Sequence, residues 1–325
     1  MKSPLQGLFA ALLVCATLSP TLVQSQPNYP VKPVRVILPY PAGGVLDAIV
    51  RALAQQLQSR MGQSFFVDNQ PGGSGVIGLG NCQRAAPDGY TICITTNDTI
   101  SINPFLLKGT KFDPRELSPI QRLVSINGVI YATADSRFQS FQHMMGTAAA
   151  KPGTVAWGSF GTGSSGHLYM AWLGKERGVD FLHVPYKGSA PLLQAALAGE
   201  HSVGMLASGI LTQHIKTGKI VPLAVLGNQR LVQFPNVPSL GEMGIKFSIE
   251  TWFGAFGPPG TPRAVMDRLN QELTMIIQDP TFRKEFVEPQ GLLPATMTVD
   301  QFVEFLKADR TQGELLVKMT GVQID

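Results

Sequence analysis

The chain has 325 residues, 44% of them hydrophobic and 15% charged, with a formal net charge of +4. That length supports a large buried core and more than one domain. The positive surplus is small and no Lys/Arg run exceeds two residues, which excludes a nucleic-acid partner on electrostatic grounds.

The N-terminus reads as an export signal. Lys2 supplies the positive start, Leu8–Val14 a short apolar stretch, and Val23-Gln24-Ser25 a cleavage site before Gln26. The stretch is too short for a membrane span with these flanks, so residues 1–25 are expected to leave a soluble periplasmic chain. Cys15 offers a lipoprotein alternative, but Val14 is large for the residue before a lipidated cysteine. The mature chain keeps Cys82 and Cys93, which either form a bridge or stay as buried thiols. No histidine or cysteine pair has metal-ligand spacing, so neither a metal nor a cofactor is expected.

Short β-rich runs then alternate with helical segments. Val34–Leu38 reads as a strand. Asp47–Met61 repeats apolar residues at a helical period and is closed by Gly62. Ser64–Asp68 reads as a strand, Pro71–Gly75 as a turn before a helix ending near Ala85, and Tyr90–Thr95 as a third strand. This order predicts a parallel, doubly wound sheet. A second unit follows, with strands at Gly128–Thr133, Val155–Gly158, Phe181–Pro185, His201–Leu206 and Val221–Leu226. Its helices are predicted at Gln139–Lys151, Ser164–Arg177, Ala190–Ala198 and Leu211–Thr217. The tail reads as helices at Pro262–Gln278, Pro280–Glu288 and Val299–Thr320, expected to pack back on the first unit. The fold class is α/β, with two lobes and a cleft between them.

Two glycine-rich loops lead from a strand into a helix. The first is Pro39–Asp47, with Tyr40, Pro41, Ala42, Gly43 and Gly44 before the helix and Asp47 in its first turn. The unpaired N–H groups and positive dipole end of a helix suit a carboxylate or phosphate, and glycine lets the ligand approach the backbone. No Gly-Lys-Ser/Thr follows, so this is not a P-loop. The alternative is a tight turn capped by Asp47. The second loop is Gly158–His167, where Ser159, Thr162, Ser164 and Ser165 offer hydroxyls around Phe160, Gly163 and His167. One such loop per lobe would place two helix N-termini across a cleft, beyond the carboxyl ends of the strands.

An ordered set of stretches carries a resemblance through almost the whole mature chain. They are Tyr29-Pro30-Val31-Lys32-Pro33-Val34-Arg35, Pro39–Asp47, Asn69-Gln70-Pro71-Gly72-Gly73-Ser74-Gly75 and Ala86-Pro87-Asp88-Gly89-Tyr90-Thr91. The set continues with Gly158–His167, His183-Val184-Pro185-Tyr186-Lys187-Gly188, Pro235-Asn236-Val237-Pro238-Ser239 and Trp252-Phe253-Gly254. The chain resembles the Bug family, the solute-binding receptors of tripartite tricarboxylate transporters. The resemblance implies a type II periplasmic-binding-protein fold: two doubly wound lobes, a hinge, and closure on ligand. Residues 26–127 with 251–325 would form one lobe and 128–250 the other. It implies a monomer that hands a small carboxylate to membrane permease subunits. One ligand carboxylate would meet the loop at Tyr40–Gly44 and Asp47, and the loop Ser159–His167 would contribute from the other lobe. Thr95-Thr96-Asn97-Asp98 would form a third wall.

The departures narrow the ligand. Both acids usual in the segment Gly199–Ser208 are absent, read here at Ser202 and Leu206, which favours a ligand without an amine or hydroxyl donor. Phe160 replaces a smaller residue. Together these point to an aromatic dicarboxylate, terephthalate for example, unless Phe160 packs on its own lobe. Trp252 is the tryptophan expected nearest the pocket. Two other functions stay open: a ligand sensor for a membrane signalling partner, and a hydrolase built on Ser164 and His167. The loop is not a Gly-x-Ser-x-Gly elbow and no acid is placed to orient His167, so no enzyme is expected.

Overall fold

The computed structural model describes residues 29–107, 113–245 and 250–322. The export signal expected at residues 1–25 lies outside the described residues.

The elements run β1 (Val34–Leu38), α1 (Val45–Met61), β2 (Phe65–Asn69), α2 (Val76–Gln83), β3 (Thr91–Thr96), α3 (Asn103–Leu106) and β4 (Ser118–Ile126). Then come β5 (Gly128–Thr133), α4 (Phe141–Ala150), β6 (Ala156–Ser159), α5 (Ser165–Arg177), β7 (Leu182–Pro185) and α6 (Ser189–Leu197). They are followed by β8 (Val203–Ala207), α7 (Ser208–Lys216) and β9 (Ile220–Val225). The tail holds β10 (Trp252–Gly257), α8 (Arg263–Gln278), α9 (Pro280–Phe282), β11 (Leu292–Pro294) and α10 (Val299–Thr320).

Local chemistry explains the elements that flank the cleft. In α1, Leu46, Ile49, Val50, Leu53, Ala54 and Leu57 form one buried stripe against the first sheet. Burying each Leu, Ile or Val contributes about 1.5–3 kcal/mol, more than the propensity differences along the segment. Gly62 then ends the helix in the left-handed region at φ 72°. At the other end of the chain, Thr298 and Gln301 form a reciprocal capping box that starts α10.

The strands form two sheets. The first has the order β11-β4-β10-β3-β1-β2 and the second β7-β6-β8-β5-β9. The expected parallel winding holds at β2-β1-β3 and at β7-β6-β8. It does not extend across either sheet. β10 runs antiparallel to β3 and β4, and β5 antiparallel to β8 and β9. The reason is topological: β4 leads straight into β5 through Asn127, and β10 brings the chain back, so these strands enter their sheets from the cleft side.

The crossing segments lie side by side. Ile126 N–H donates to the Thr251 carbonyl at 2.8 Å, and Asn127 N–H donates to the Gly291 carbonyl at 3.2 Å. Asn127 in turn accepts from Ser208 N–H at 2.8 Å. The tail helix α8 packs on α1 and β4, within the first sheet's layers. Helix α10 also packs on α5, with Leu316 and Val317 buried in the second sheet's core. Gly313 lets it approach the Ser101 carbonyl closer than any Cβ would allow.

Sequence periodicity missed β4, β10 and β11. β4 carries Gln121 and Arg122 inside a buried strand, which breaks the apolar signal. Both find partners there. Gln121 accepts from Met297 N–H at 3.0 Å, and Arg122 pairs with Glu250 at 2.5 Å. The helix expected over Pro280–Glu288 breaks instead into α9, a wide turn at Arg283–Val287 and a tight turn at Glu288–Gln290. Cys82 and Cys93 are disulfide-bonded, linking α2 to β3.

Candidate functional site

A cavity of about 180 Å³ lies between the two sheets. Its first wall is the β1–α1 loop. Gly44 is the N-cap of α1 and makes no side-chain cap, so the first-turn N–H groups keep their full donor capacity. Asp47 holds the loop in place. Its carboxylate accepts from Gly43 N–H, Arg51 Nε–H and Asn69 Nδ2–H, each at 3.0 Å. Asn69 also donates to the Tyr40 carbonyl at 3.1 Å. Burial works to raise the Asp47 carboxyl, but the bonds from Arg51, Gly43 and Asn69 outweigh it and hold it below the usual carboxylate range.

The second wall is the β7–α6 loop with Lys187 and Gly188, and the first turn of α6 with Ser189, Ala190 and Pro191. Gly188 is the N-cap of α6, at φ 107° and also without a side-chain cap. The two glycine-capped helix ends face one another: a Cβ added at Gly44 would stand 3.5 Å from Ser189 Oγ. The remaining lining is mostly apolar. Met205, Leu206 and Ala207 come from β8 and Ile210 from α7, with Phe160, Ile126, Leu226 and Phe253 around them. The crossing strands thus supply part of the floor.

Of the residues that the sequence reading put at the site, Tyr40, Pro41, Ala42, Gly44, Asp47, Phe160 and Leu206 line the cavity. Gly43 instead spends its N–H on Asp47. Asn97 is buried and accepts from Trp252 N–H at 3.4 Å, while its neighbours Thr96 and Asp98 reach the cavity. Trp252 is fully buried against Phe256, Phe302 and Phe305. Its expected place at the pocket falls to Thr251 and Phe253.

The serine loop turns its polar groups inward. Ser159 Oγ donates to the Gly161 carbonyl at 3.1 Å and lies 2.7 Å from His183 Nε2. Ser164 caps α5, accepting from His167 N–H at 3.4 Å while donating to the Gly161 carbonyl at 2.6 Å. His167 Nδ1 accepts from Gly163 N–H at 3.1 Å, and its ring stacks on His183 at 3.9 Å. Thr162 is exposed, and of this loop only Phe160 lines the cavity. The α5 N-terminus already holds a carboxylate of the chain itself: Asp98 accepts from Ser165 N–H at 3.1 Å. Burial raises the Asp98 carboxyl to about 6 against the lowering pull of the Ser165 N–H and hydroxyl. Asp98 therefore adds a second acid to the lining beside Asp47, at the wall expected from Thr95–Asp98. Ser202 does not line the cavity.

The sequence reading quoted Lys187 and Gly188 only within a stretch that carries the resemblance, and gave neither them nor Ser189 a place at the site. Their signal was the same as that of the first loop: a strand, a glycine, then a helix.

A family model described as a tripartite tricarboxylate transporter family receptor matches residues 49–322. The chain belongs to this receptor family. A UPF0065 protein in the tcbD–tcbE intergenic region of Pseudomonas sp. (strain P51) is 31% identical over 312 residues, covering 95% of this chain and 92% of that one. Periplasmic binding protein BugD is similar in structure, with a TM-score of 0.82 at 29% identity, over 91% of this chain and 99% of that one. R. palustris Rpa4515, solved with adipate, gives a TM-score of 0.85 at 25% identity, over 91% and 99%. The receptor thus has the two-lobed fold of periplasmic binding proteins, and its family and solved relatives are solute-binding proteins, not enzymes. The Ser164–His167 pair agrees with this, since the Ser164 hydroxyl meets the backbone of His167 and not its ring. Among the described residues no helix is long and apolar enough to cross a membrane.

The receptor's second lobe carries histidines that titrate with folding. His201 lies between Tyr131 OH, at 2.8 Å, and Tyr186 OH, at 3.3 Å. Burial depresses His201 to about 4, and burial plus the neighbouring His167 depresses His183 to about 4. A depressed histidine contributes stability that is present above its unfolded value near 6.5 and lost as pH falls through the folded value. Asp98 acts in the opposite sense, since its raised carboxyl favours the folded state as pH falls below about 6. His167 is also depressed by burial and the Asp309 carboxyl also raised by it, and three histidines against two acids give a net loss. The melting temperature of the free receptor is expected to fall between pH 6.5 and 4, with His201 accounting for about 2–3 kcal/mol. His201→Asn should flatten that part of the profile; an unchanged slope would remove His201 as its source.

Proposed function

We propose that this receptor captures a small carboxylate between its lobes and delivers it to the membrane subunits of a tripartite tricarboxylate transporter. The favoured ligand is an apolar dicarboxylate such as terephthalate. The observation that carries this reading is the pair of glycine-capped helix ends, at Gly44 and at Gly188–Ser189, facing each other over an apolar floor. Both ends offer unspent N–H donors and the positive end of a helix dipole, which is the chemistry that holds a carboxylate. Phe160, Leu206 and Phe253 suit an apolar body. The volume of about 180 Å³ exceeds the roughly 150 Å³ in which an apolar cavity holds a benzene ring. A ring would fill the middle and leave its carboxylates at the polar edges. The adipate in Rpa4515 is likewise a dicarboxylate with an apolar body.

Closure would hinge where the crossing segments pair, near Asn127 and Thr251. Lobe 1 is then residues 26–127 with 251–325, and lobe 2 is 128–250. The working form is a periplasmic monomer released at Gln26.

Calorimetric titration of the mature chain with terephthalate, adipate, citrate and glutamate tests the reading. Binding of terephthalate or adipate, the two diacids with an apolar body, is expected, with a stabilisation of about 2.7 kcal/mol at a hundredfold excess over Kd. Preference for citrate or glutamate would overturn the ligand assignment, and no binding of any acid would overturn the carboxylate site.

A further inference from the structure

The charges around the cavity are unevenly spent. Asp47 is paired with Arg51 and bonded to Gly43 and Asn69. Asp98 is bonded to the N-terminus of α5. Arg51, one turn along α1 from Asp47, is committed to Asp47 and to Asn69 Oδ1. Lys187 is the one cation among the described residues that line the cavity. No ion pair to it occurs among the described residues.

Its position is also electrostatically unfavourable for the fold alone. Lys187 directly precedes Gly188, the N-cap of α6, so an ammonium stands at the positive end of a helix dipole. Cations are favoured at the opposite end, by about 0.3–1 kcal/mol at exposed sites. A lysine there, with no internal counter-ion and an apolar cavity beside it, is a seat for an external anion. The first wall differs, because Asp47 already puts an acid in the first turn of α1.

We propose that Lys187 is the specificity-determining residue of the receptor, pairing with the second carboxylate of the ligand and so selecting dicarboxylates over monocarboxylates with the same body. This rests on the carboxylate-receptor reading above. The first carboxylate takes the N–H groups at Gly44, the apolar body lies along Leu206 and Phe253, and the second carboxylate meets the Lys187 ammonium. A lysine suits this task because its flexible stem lets the charge follow acids of different length.

The test is calorimetry on wild type, Lys187→Met and Lys187→Arg with two matched pairs, terephthalate with benzoate and adipate with hexanoate. Lys187 is exposed, and the unliganded melting temperature confirms that each variant is folded. The expected result is that Lys187→Met weakens the better-bound diacid roughly 10- to 100-fold and leaves the monoacid unchanged. Lys187→Arg should restore most of the diacid affinity. Equal losses for diacid and monoacid would overturn the proposal, because Lys187 would then hold the carboxylate common to both. No change for either would overturn it as well, leaving Lys187 a solvated side chain. If wild type binds none of the four acids, the proposed dicarboxylate site fails and the Lys187 assignment falls with it.

Discussion

Ala207→Asp is expected to abolish dicarboxylate binding while leaving the fold intact. Ala207 ends β8, lines the cavity and is the N-cap of α7, where it makes no side-chain cap. Aspartate is among the favoured N-cap residues, worth about 1 kcal/mol over alanine, so the unliganded protein should melt no lower than wild type. In the cavity the new carboxylate would join Asp98 and oppose any dianion brought against the same wall. Leaving like charges unpaired in a desolvated site costs several kcal/mol, which corresponds to at least a roughly 100-fold rise in Kd. Ala207→Asn is the control, with the same cap and no charge, and should bind nearly as wild type. If the Asp variant keeps its affinity, the ligand does not approach the β8–α7 junction.

The second large effect is expected from Gly44→Phe. Gly44 has φ −85° and ψ 172°, extended backbone that any residue adopts, so the substitution carries no backbone strain. The obstacle lies across the cleft, where Ser189 Oγ stands 3.5 Å from the added Cβ. A methyl fits at that distance, and Gly44→Ala should bind within a few-fold of wild type. A phenyl ring does not fit without the walls parting. The Phe variant is expected to lose the ligand-induced thermal shift and to keep, with ligand present, the radius of gyration of its free form. A normal shift accompanied by normal compaction would contradict the closed arrangement of α1 and α6.

Much of the fold was legible from local patterns because those patterns have local causes. α10 was read at Val299–Thr320, its structural range, since its cap signals and apolar stripe sit in one continuous segment. The strands that seat the loops, β1, β5 and β6, were read to within a residue or two for the same reason. What escaped reading depends on distant partners. β4 hides Gln121 and Arg122 because α8, Glu250 and Phe305 satisfy them from elsewhere in the chain. β10 is interrupted by glycine, and Gly254 is required because the rings of Trp252, Phe256 and Phe302 crowd its Cβ position.

The candidate site divides in the same way. The first wall was legible, since Asp47 and the glycines act within their own loop. The second wall was assigned to the hydroxyl-rich loop at Ser159–His167, but hydroxyl content does not say where a hydroxyl points. Ser159 is claimed by His183 and Gly161, Ser164 by its own helix, and the helix end by Asp98. The β7–α6 connection has one serine, Ser189 at the start of α6, and a glycine, and drew less notice. It nonetheless leaves its helix end open and brings Lys187 to the cavity.

The most direct test of the central claim is a crystal structure of the mature receptor with its tightest-binding acid. The account predicts one ligand carboxylate within hydrogen-bond distance of the backbone at Gly44 and the other within ion-pair distance of Lys187 Nζ, with the apolar body against Leu206 and Phe253. A ligand seated instead on Ser159, Ser164 and His167, with Asp98 displaced from Ser165, would contradict it and return the second wall to the serine loop.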